Sequence, residues 1–231
     1  QPWEKFVFKF DSAVDADGFD RRSRVANRVA DKTNAEITIS TERAPIYGEI
    51  VSARTEFERV FLGETVFIRG DEPLQVGTLY SVTTGPQKIK SKRDGRVGFA
   101  YDLTGKVRII GVRDGVFIGT ITALYHPIQR HQLLIPVIDA YEFPMPVVSN
   151  APIVGTVVVT KNYQEDLLGE QKVVLIDLGK EDGVKPGNIF RSYLHSDPGT
   201  HEVISAKDYL IESELQILSV MDQFSIAVIL H

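Results

Sequence analysis

Cysteine is absent from this 231-residue chain, which excludes disulfide staples, thiolate nucleophiles and cysteine-ligated metal sites. A thiol-free composition suits an oxidising compartment, where a stray thiol is a liability. No apolar run approaches the roughly 18 residues that mark a membrane-spanning helix, so no transmembrane span is expected. Positive charge is not in excess either: 26 Lys and Arg stand against 31 Asp and Glu, for a formal net charge of −5. A nucleic-acid binder needs a basic footprint to neutralise phosphates, so no nucleic-acid partner is expected. There is no Gly-x-Ser-x-Gly elbow, no phosphate-cradling Gly-Lys-Ser/Thr loop, no Gly-x-Gly-x-x-Gly and no His-Glu-x-x-His. What is present is an ordinary globular composition, 43% hydrophobic and 25% charged, in a chain long enough for one to two domains.

The most informative stretch runs from Leu168-Gly169-Glu170 to Gly187-Asn188-Ile189-Phe190. Its centre, Val173-Val174-Leu175-Ile176-Asp177-Leu178-Gly179, is rich in β-branched and apolar residues and reads as a buried strand. Glu181-Asp182-Gly183 and Pro186-Gly187 then supply two turns back to back, because glycine reaches φ > 0 cheaply and proline pre-sets φ. Asn188 to Leu194 runs out as the returning strand. Asp177, Glu181 and Asp182 stand near the turn, where carboxylates accept amide hydrogens without any acid–base role.

The same unit occurs earlier. Leu62-Gly63-Glu64, Val66 to Gly70 and Leu74 to Tyr80, the last containing Gly77, match it nearly element for element. Ala44-Pro45-Ile46-Tyr47-Gly48 stands against Ala151-Pro152-Ile153-Val154-Gly155, and Val107 to Ile121 against Leu215 to Ile229. Identical order over roughly 107 residues is a domain-sized duplication, longer than a solenoid period. The shared turns predict structural roles for Gly63, Gly70, Gly77, Gly169, Gly179, Gly183, Pro186 and Gly187.

The expected fold is mainly β: tandem duplicated small β-barrels preceded by a short β-α-β segment. That segment takes residues 1–43. Phe6, Phe8 and Phe10 alternate on one strand, Phe19, Ala26, Val29 and Ala30 fall at helical spacing between Gly18 and about Thr33, and Ala35 to Ser40 is a second strand. The first barrel repeat is expected over 44–124 and the second over 151–231. Between them, 125–150 carries Pro127, Pro136, Pro144 and Pro146 beside Leu133, Leu134, Ile135 and Val137, too apolar for a free linker. It is therefore expected to be an ordered connector lying in the groove between the repeats.

One dense basic cluster occurs: Lys88, Lys90, Lys92, Arg93 and Arg96 around Asp94-Gly95, a hairpin-turn dipeptide. It reads as a solvated hairpin tip or as a contact for an anionic partner. Of five histidines, His126 and His131 lie in the connector and His195 and His201 flank Asp197-Pro198-Gly199. The second pair reads as an exposed tip rather than a metal site. Asp15-Ala16-Asp17-Gly18-Phe19-Asp20 lacks the first and last ligands of a calcium loop, having Ala13 and Arg24 there. No metal and no cofactor are expected.

Leu-Gly-Glu, a strand, Gly179-Lys180-Glu181-Asp182-Gly183-Val184-Lys185-Pro186-Gly187-Asn188-Ile189-Phe190 and the closing Leu215-Gln216-Ile217-Leu218-Ser219-Val220 resemble the C-terminal region of bacterial LysM-containing cell-envelope proteins. A similar small β-barrel closes the flagellar assembly protein T. The resemblance covers about Ala44 to Ile229, and His131-Gln132 departs from the Gly-Asp that the group tends to carry before Leu133. Phe8-Lys9-Phe10-Asp11-Ser12 with Ile37-Thr38-Ile39 also resembles the start of the peptidoglycan-binding domain of outer-membrane protein A. Ser40-Thr41-Glu42-Arg43 replaces that family's Gly-His-Thr-Asp, so no binding residue carries over.

The resemblance implies a non-enzymatic periplasmic component of a Gram-negative envelope, a scaffold partnered by other envelope proteins or peptidoglycan, or a flagellar ring-type assembly part. Its export signal is then expected ahead of Gln1. Exposed sheet edges leave self-assembly open. From other classes come a hydrolase or metal-dependent enzyme using His126, His131 or Asp139 in a cleft between the repeats, and direct glycan binding through Trp3, Tyr80, Tyr101 or Tyr193.

Overall fold

The computed structural model of the chain describes residues 32–70, 74–91, 93–147, 153–158, 171–193, 202 and 211–230. Its strands are β1 (Lys32–Thr33), β2 (Ile37–Ser40), β3 (Gly48–Ala53), β4 (Arg59–Val60), β5 (Thr65–Gly70), β6 (Leu79–Lys90), β7 (Val97–Arg113) and β8 (Val116–Leu124). There follow β9 (Ile128–Gln129), β10 (Leu133–Pro136), β11 (Tyr141–Glu142), β12 (Val157–Val158), β13 (Val173–Ile176), β14 (Ile189–Tyr193), β15 (Ile211–Val220) and β16 (Ser225–Ile229). Among the described residues the helical content is one 3-10 turn, Lys180–Asp182. The protein is mainly β, as the alternating and β-branched runs require.

The described residues form two units, one of 34–88 with 99–139, the other of 32–33, 89–98 and 140–230. In the first unit the strand order is β2-β7-β6-β10-β3-β5-β8, and β8 pairs back onto β7, so the ring of pairings closes. The 17-residue β7 makes this closure possible, pairing with β2 over residues 99–102 and with β8 over residues 105–113. Val66 and Ile68 alternate with half-exposed Thr65 and Phe67, so β5 buries one face. That face joins Ile50, Val107, Ile109, Ile121 and Leu134 in the core.

Among the described residues the second unit holds a five-stranded sheet in the order β12-β13-β16-β15-β14. Every residue of β13 and β16 is buried, the signature of a strand covered on both faces. Phe190, Val174, Ile176, Leu215, Ile217 and Ala227 form its core.

The two sheets share one plan. The pairs Thr65–Thr120, Val66–Gly119 and Phe67–Ile118 of β5 and β8 recur as Val173–Val228, Val174–Ala227 and Leu175–Ile226 of β13 and β16. Val107–Ile121 and Ile109–Gly119 recur as Leu215–Ile229 and Ile217–Ala227, after which both hairpins slip by one residue. The bulge thus falls at Ile110 and at Leu218, which occupy equivalent places. The amide of Ile109 donates to Thr78 and that of Gly77 to Ile109; in the second unit Ile217 donates to Asn188 and Gly187 to Ile217. Gly77 and Gly187 accordingly share φ of 91° and 87°.

Two expectations change. Gly63 donates its amide to the Ile121 carbonyl with φ 80°, and its counterpart by pairing is Gln171, which donates to Ile229 with φ 65°. Gly63 therefore corresponds in space to Gln171, two residues beyond the Gly169 with which it aligns in sequence. Gly77 takes the turn role expected of it, at φ 91°, and β6 begins at Leu79. The helix expected from Gly18 to about Thr33 does not reach its predicted end, since Lys32 and Thr33 pair as β1 with β11. The rest of that helix and the strand over Phe6 to Phe10 lie outside the described residues.

Candidate functional site

The turn between β6 and β7 belongs to the second unit, and its charged residues meet the acidic end of β13 there. Asp94-Gly95 makes the reversal, with Gly95 at φ 77° and its amide donating to the Ser91 carbonyl. The turn places Ser91, Arg93 and Arg96 side by side. Ser91 is buried and donates its hydroxyl to Asp177 Oδ2 at 2.7 Å. Asp177 is itself fully buried, and its Oδ1 accepts the Thr156 amide at 2.5 Å. A buried carboxylate needs such donors, for an unpaired one costs several kcal/mol, on the order of the desolvation penalty.

Asp182 is the hub of the cluster. Arg96 Nη1 donates to its Oδ2 at 2.7 Å, Arg93 Nη2 to its Oδ1 at 2.7 Å, and the Gly179 amide to Oδ2 at 2.9 Å. Arg96 also reaches Asp94 Oδ2 at 2.7 Å and the Gln223 carbonyl at 3.0 Å. The side chains of Arg96 and Asp182 are 14% and 11% exposed, so both are largely removed from water. Burial alone would push the Asp182 carboxyl up, but hydrogen bonds from Arg96, Arg93 and Gly179 and the Arg93 charge hold it below its ordinary value. Asp94 is held down in the same way against burial by the Arg96 amide and guanidinium. Burial works against the charge on Arg96, yet its bonds to Asp182 and Asp94 outweigh this and keep it protonated.

Of the five basic residues singled out in the sequence, Arg93 and Arg96 are thus occupied by carboxylates of the same unit. Lys88 and Lys90 are exposed, and Lys92 lies outside the described residues. Asp182 does accept a turn amide, as its position implied; its two arginine partners are far away in sequence and no local pattern announces them. The clue available was complementarity, an Arg-x-x-Arg turn and an Asp-x-x-x-x-Asp segment of opposite sign.

The turn glycines divide by cause. Gly63, Gly77, Gly183 and Gly187 have positive φ. Gly70 and Gly179 are needed for space: a Cβ on the first would strike the Tyr47 carbonyl and Leu74, and one on the second the Asp222 carbonyl. Gly169 is outside the described residues, and Pro186 sits in the turn that leads to Gly187.

The other candidate groups are dispersed. His131 Nδ1 lies 2.6 Å from Glu49 Oε1, but the His131 side chain is 81% exposed, so water screens the pair. His126 Nε2 is 3.6 Å from Glu36, and Asp139 stands near Lys106 at 3.8 Å. Tyr101 and Tyr80 do not offer rings for sugar stacking: both are buried, and their hydroxyls accept the amides of Ala44 at 2.7 Å and Gln75 at 3.3 Å. Trp3, His195, His201 and the Tyr193 side chain are outside the described residues. Among the described residues no group of three or more His, Cys, Asp or Glu is placed to hold a metal ion, and no helix is long and apolar enough to cross a membrane. The sequence matches no model of a known protein family and no curated protein.

Proposed function

We propose that this chain is a non-catalytic scaffold of a Gram-negative cell envelope, acting in the periplasm through other envelope proteins or peptidoglycan-associated assemblies. The observation that carries this reading is the closure of the polar cluster on itself. Ser91, Arg93, Asp94, Arg96, Asp177 and Asp182 are bonded to one another, and among the described residues the Ser91 hydroxyl donates to the Asp177 carboxylate and accepts the Arg93 amide, with no histidine beside it. Such a cluster holds a turn in place, as a framework requires. The thiol-free composition and the resemblance of the hairpins to LysM-associated envelope proteins support the compartment.

The reading is tested by fractionating native cells and by incubating the purified protein with peptidoglycan sacculi. The protein is expected in the envelope or periplasmic fraction, with sacculi left intact over long incubation. Recovery in the cytosol would overturn the compartment. Release of soluble glycan fragments, abolished by His131→Ala, would replace the scaffold with the hydrolase.

A further inference from the structure

The two sheets differ in what lies against their equivalent turns. In the second unit the segment from Tyr141 to Val147 passes β15 and ends on β14. Its Pro144 carbonyl accepts Gln216 Nε2 at 2.7 Å, and its Val147 amide donates to the Gly187 carbonyl at 2.8 Å. Val147 forms a parallel bridge with Asn188, whose Nδ2 donates to the Val147 carbonyl. A Cβ on Gly187 would strike the Met145 carbonyl, so the segment sits directly on that glycine. Gln216 and Leu218 of β15 are 4% and 7% exposed.

Gly77, Arg108 and Ile110 hold in the first unit the places of Gly187, Gln216 and Leu218. There the surface is open. Among the described residues, a Cβ on Gly77 would meet nothing within 4 Å. Val76 precedes that glycine and Ile110 follows the Ile109 carbonyl that receives its amide, so the two lie side by side, 59% and 52% exposed. Val112 is 50% exposed, and three such apolar side chains around one turn form a patch rather than a scatter. The Gly77 carbonyl, whose counterpart receives the Val147 amide, is held instead by Arg108 Nη1 at 2.9 Å. Arg108 is exposed and, among the described residues, pairs with no carboxylate.

We propose that the surface around Gly77 is a docking site for a partner polypeptide, which lays an extended, proline-containing, acidic and apolar segment there as Tyr141 to Val147 lies on the second unit. The chemistry of the guest follows from that segment, Tyr-Glu-Phe-Pro-Met-Pro-Val, and from what differs beneath it. A guest amide takes the Gly77 carbonyl, guest apolar side chains cover Val76, Ile110 and Val112, and the Arg108 guanidinium turns from that carbonyl to a guest carboxylate. Arg108 stands where the second unit has Gln216, so a carboxylate is what this surface selects beyond apolar contact. A second copy of this chain has its own such segment already seated on β14 and β15, which leaves a different polypeptide as the occupant. The inference rests on the scaffold reading for its purpose and deepens it by naming how a partner is held.

The test titrates the full chain, followed by its amide NMR shifts, with a synthetic peptide Tyr-Glu-Phe-Pro-Met-Pro-Val capped at both ends. Saturable binding with Kd below about 1 mM is expected, with the shifts at Gly77, Thr78 and residues 108–112. Ile110→Asp and Arg108→Glu should each weaken it by about tenfold or more. A peptide with glutamine in place of its glutamate, or with an N-methyl group on its valine, should lose about as much, and decides the matter if either variant fails to fold. No saturable binding up to about 1 mM, equal binding of the altered peptides, or shifts confined to residues 187–188 and 214–218 would each overturn the proposal. So would a dimer of the chain alone that Ile110→Asp dissolves in sedimentation, which makes a second copy the occupant. Co-sedimentation with phosphatidylglycerol vesicles, lost in the same variant, would replace the polypeptide with a lipid surface. Those outcomes leave the fractionation and sacculus results of the scaffold reading untouched.

Discussion

Replacing Asp182 by asparagine probes the charged cluster most directly. The change keeps the shape of the side chain and removes the charge that receives Arg93 and Arg96 at 2.7 Å each. Taking one partner from a fully buried ion pair costs about 3–5 kcal/mol, because the other charge is left without compensation. Here the loss should be smaller. Arg93 is a third exposed, and Arg96 retains Asp94 at 2.7 Å, so we expect about 2–3 kcal/mol. For a chain of this size that corresponds to a fall in Tm of about 4–12 °C.

The pH dependence carries a sign. Asp182 and Asp94 have carboxyls lowered from 3.8 in the folded protein, so their stabilisation is complete above the ordinary carboxylate range and is lost as pH falls through the lowered folded values. Urea denaturation followed by circular dichroism should therefore show a constant gap between wild type and Asp182→Asn from pH 7 to about pH 4, closing on further acidification. Pairing the change with Arg96→Met in a double-mutant cycle should give a coupling of at least about 1 kcal/mol. A gap below about 0.5 kcal/mol at pH 7, typical of an exposed ion pair, would refute the reasoning. So would a gap that widens in acid.

Three further outcomes follow from single contacts. Ser91→Ala strips the buried Asp177 carboxylate of a 2.7 Å donor and should cost about 1–3 kcal/mol by chemical denaturation, with exchange of the 91–96 amides accelerated. Gln171 holds φ 65°, where its counterpart Gly63 is a glycine, so Gln171→Gly should raise stability by roughly 0.5–1 kcal/mol, a gain readable as a higher urea midpoint. Leu134→Ala empties a fully buried place on the closing strand and should cost about 2–5 kcal/mol, with exchange rising first in β3 and β6.

The strand plan was legible because each strand is a short β-branched run ended by a turn residue. Val173 to Ile176 and Val66 to Ile68 announce themselves, and so does the Asp94-Gly95 reversal. Register was less legible. Leu-Gly-Glu occurs twice, yet the residue that takes the place of Gly63 is Gln171, outside the second copy, since what is preserved is the left-handed amide that bonds Ile121 or Ile229. Glycine at one such place and glutamine at the other hides the equivalence from residue identity. The cluster around Asp182 was hidden for another reason. Arg93 and Arg96 read as a free basic tip because nothing local reveals a carboxylate more than eighty residues away. The strand nature of Leu133–Pro136 was masked by the prolines around it, although Pro136 sits at the last position of β10, where the strand tolerates it.

The central claim is that the two sheets are one plan executed twice, down to the bulge. Cross-strand nuclear Overhauser contacts in the β7–β8 and β15–β16 hairpins measure this directly. Contacts of Val107 with Ile121 and Leu215 with Ile229 should be matched, and both ladders should shift by one residue at Ile110 and Leu218. A ladder that runs unbroken through Ile110 or through Leu218 would contradict it; the further shift between Lys106 and Val107 of β7 lies beyond the shared part.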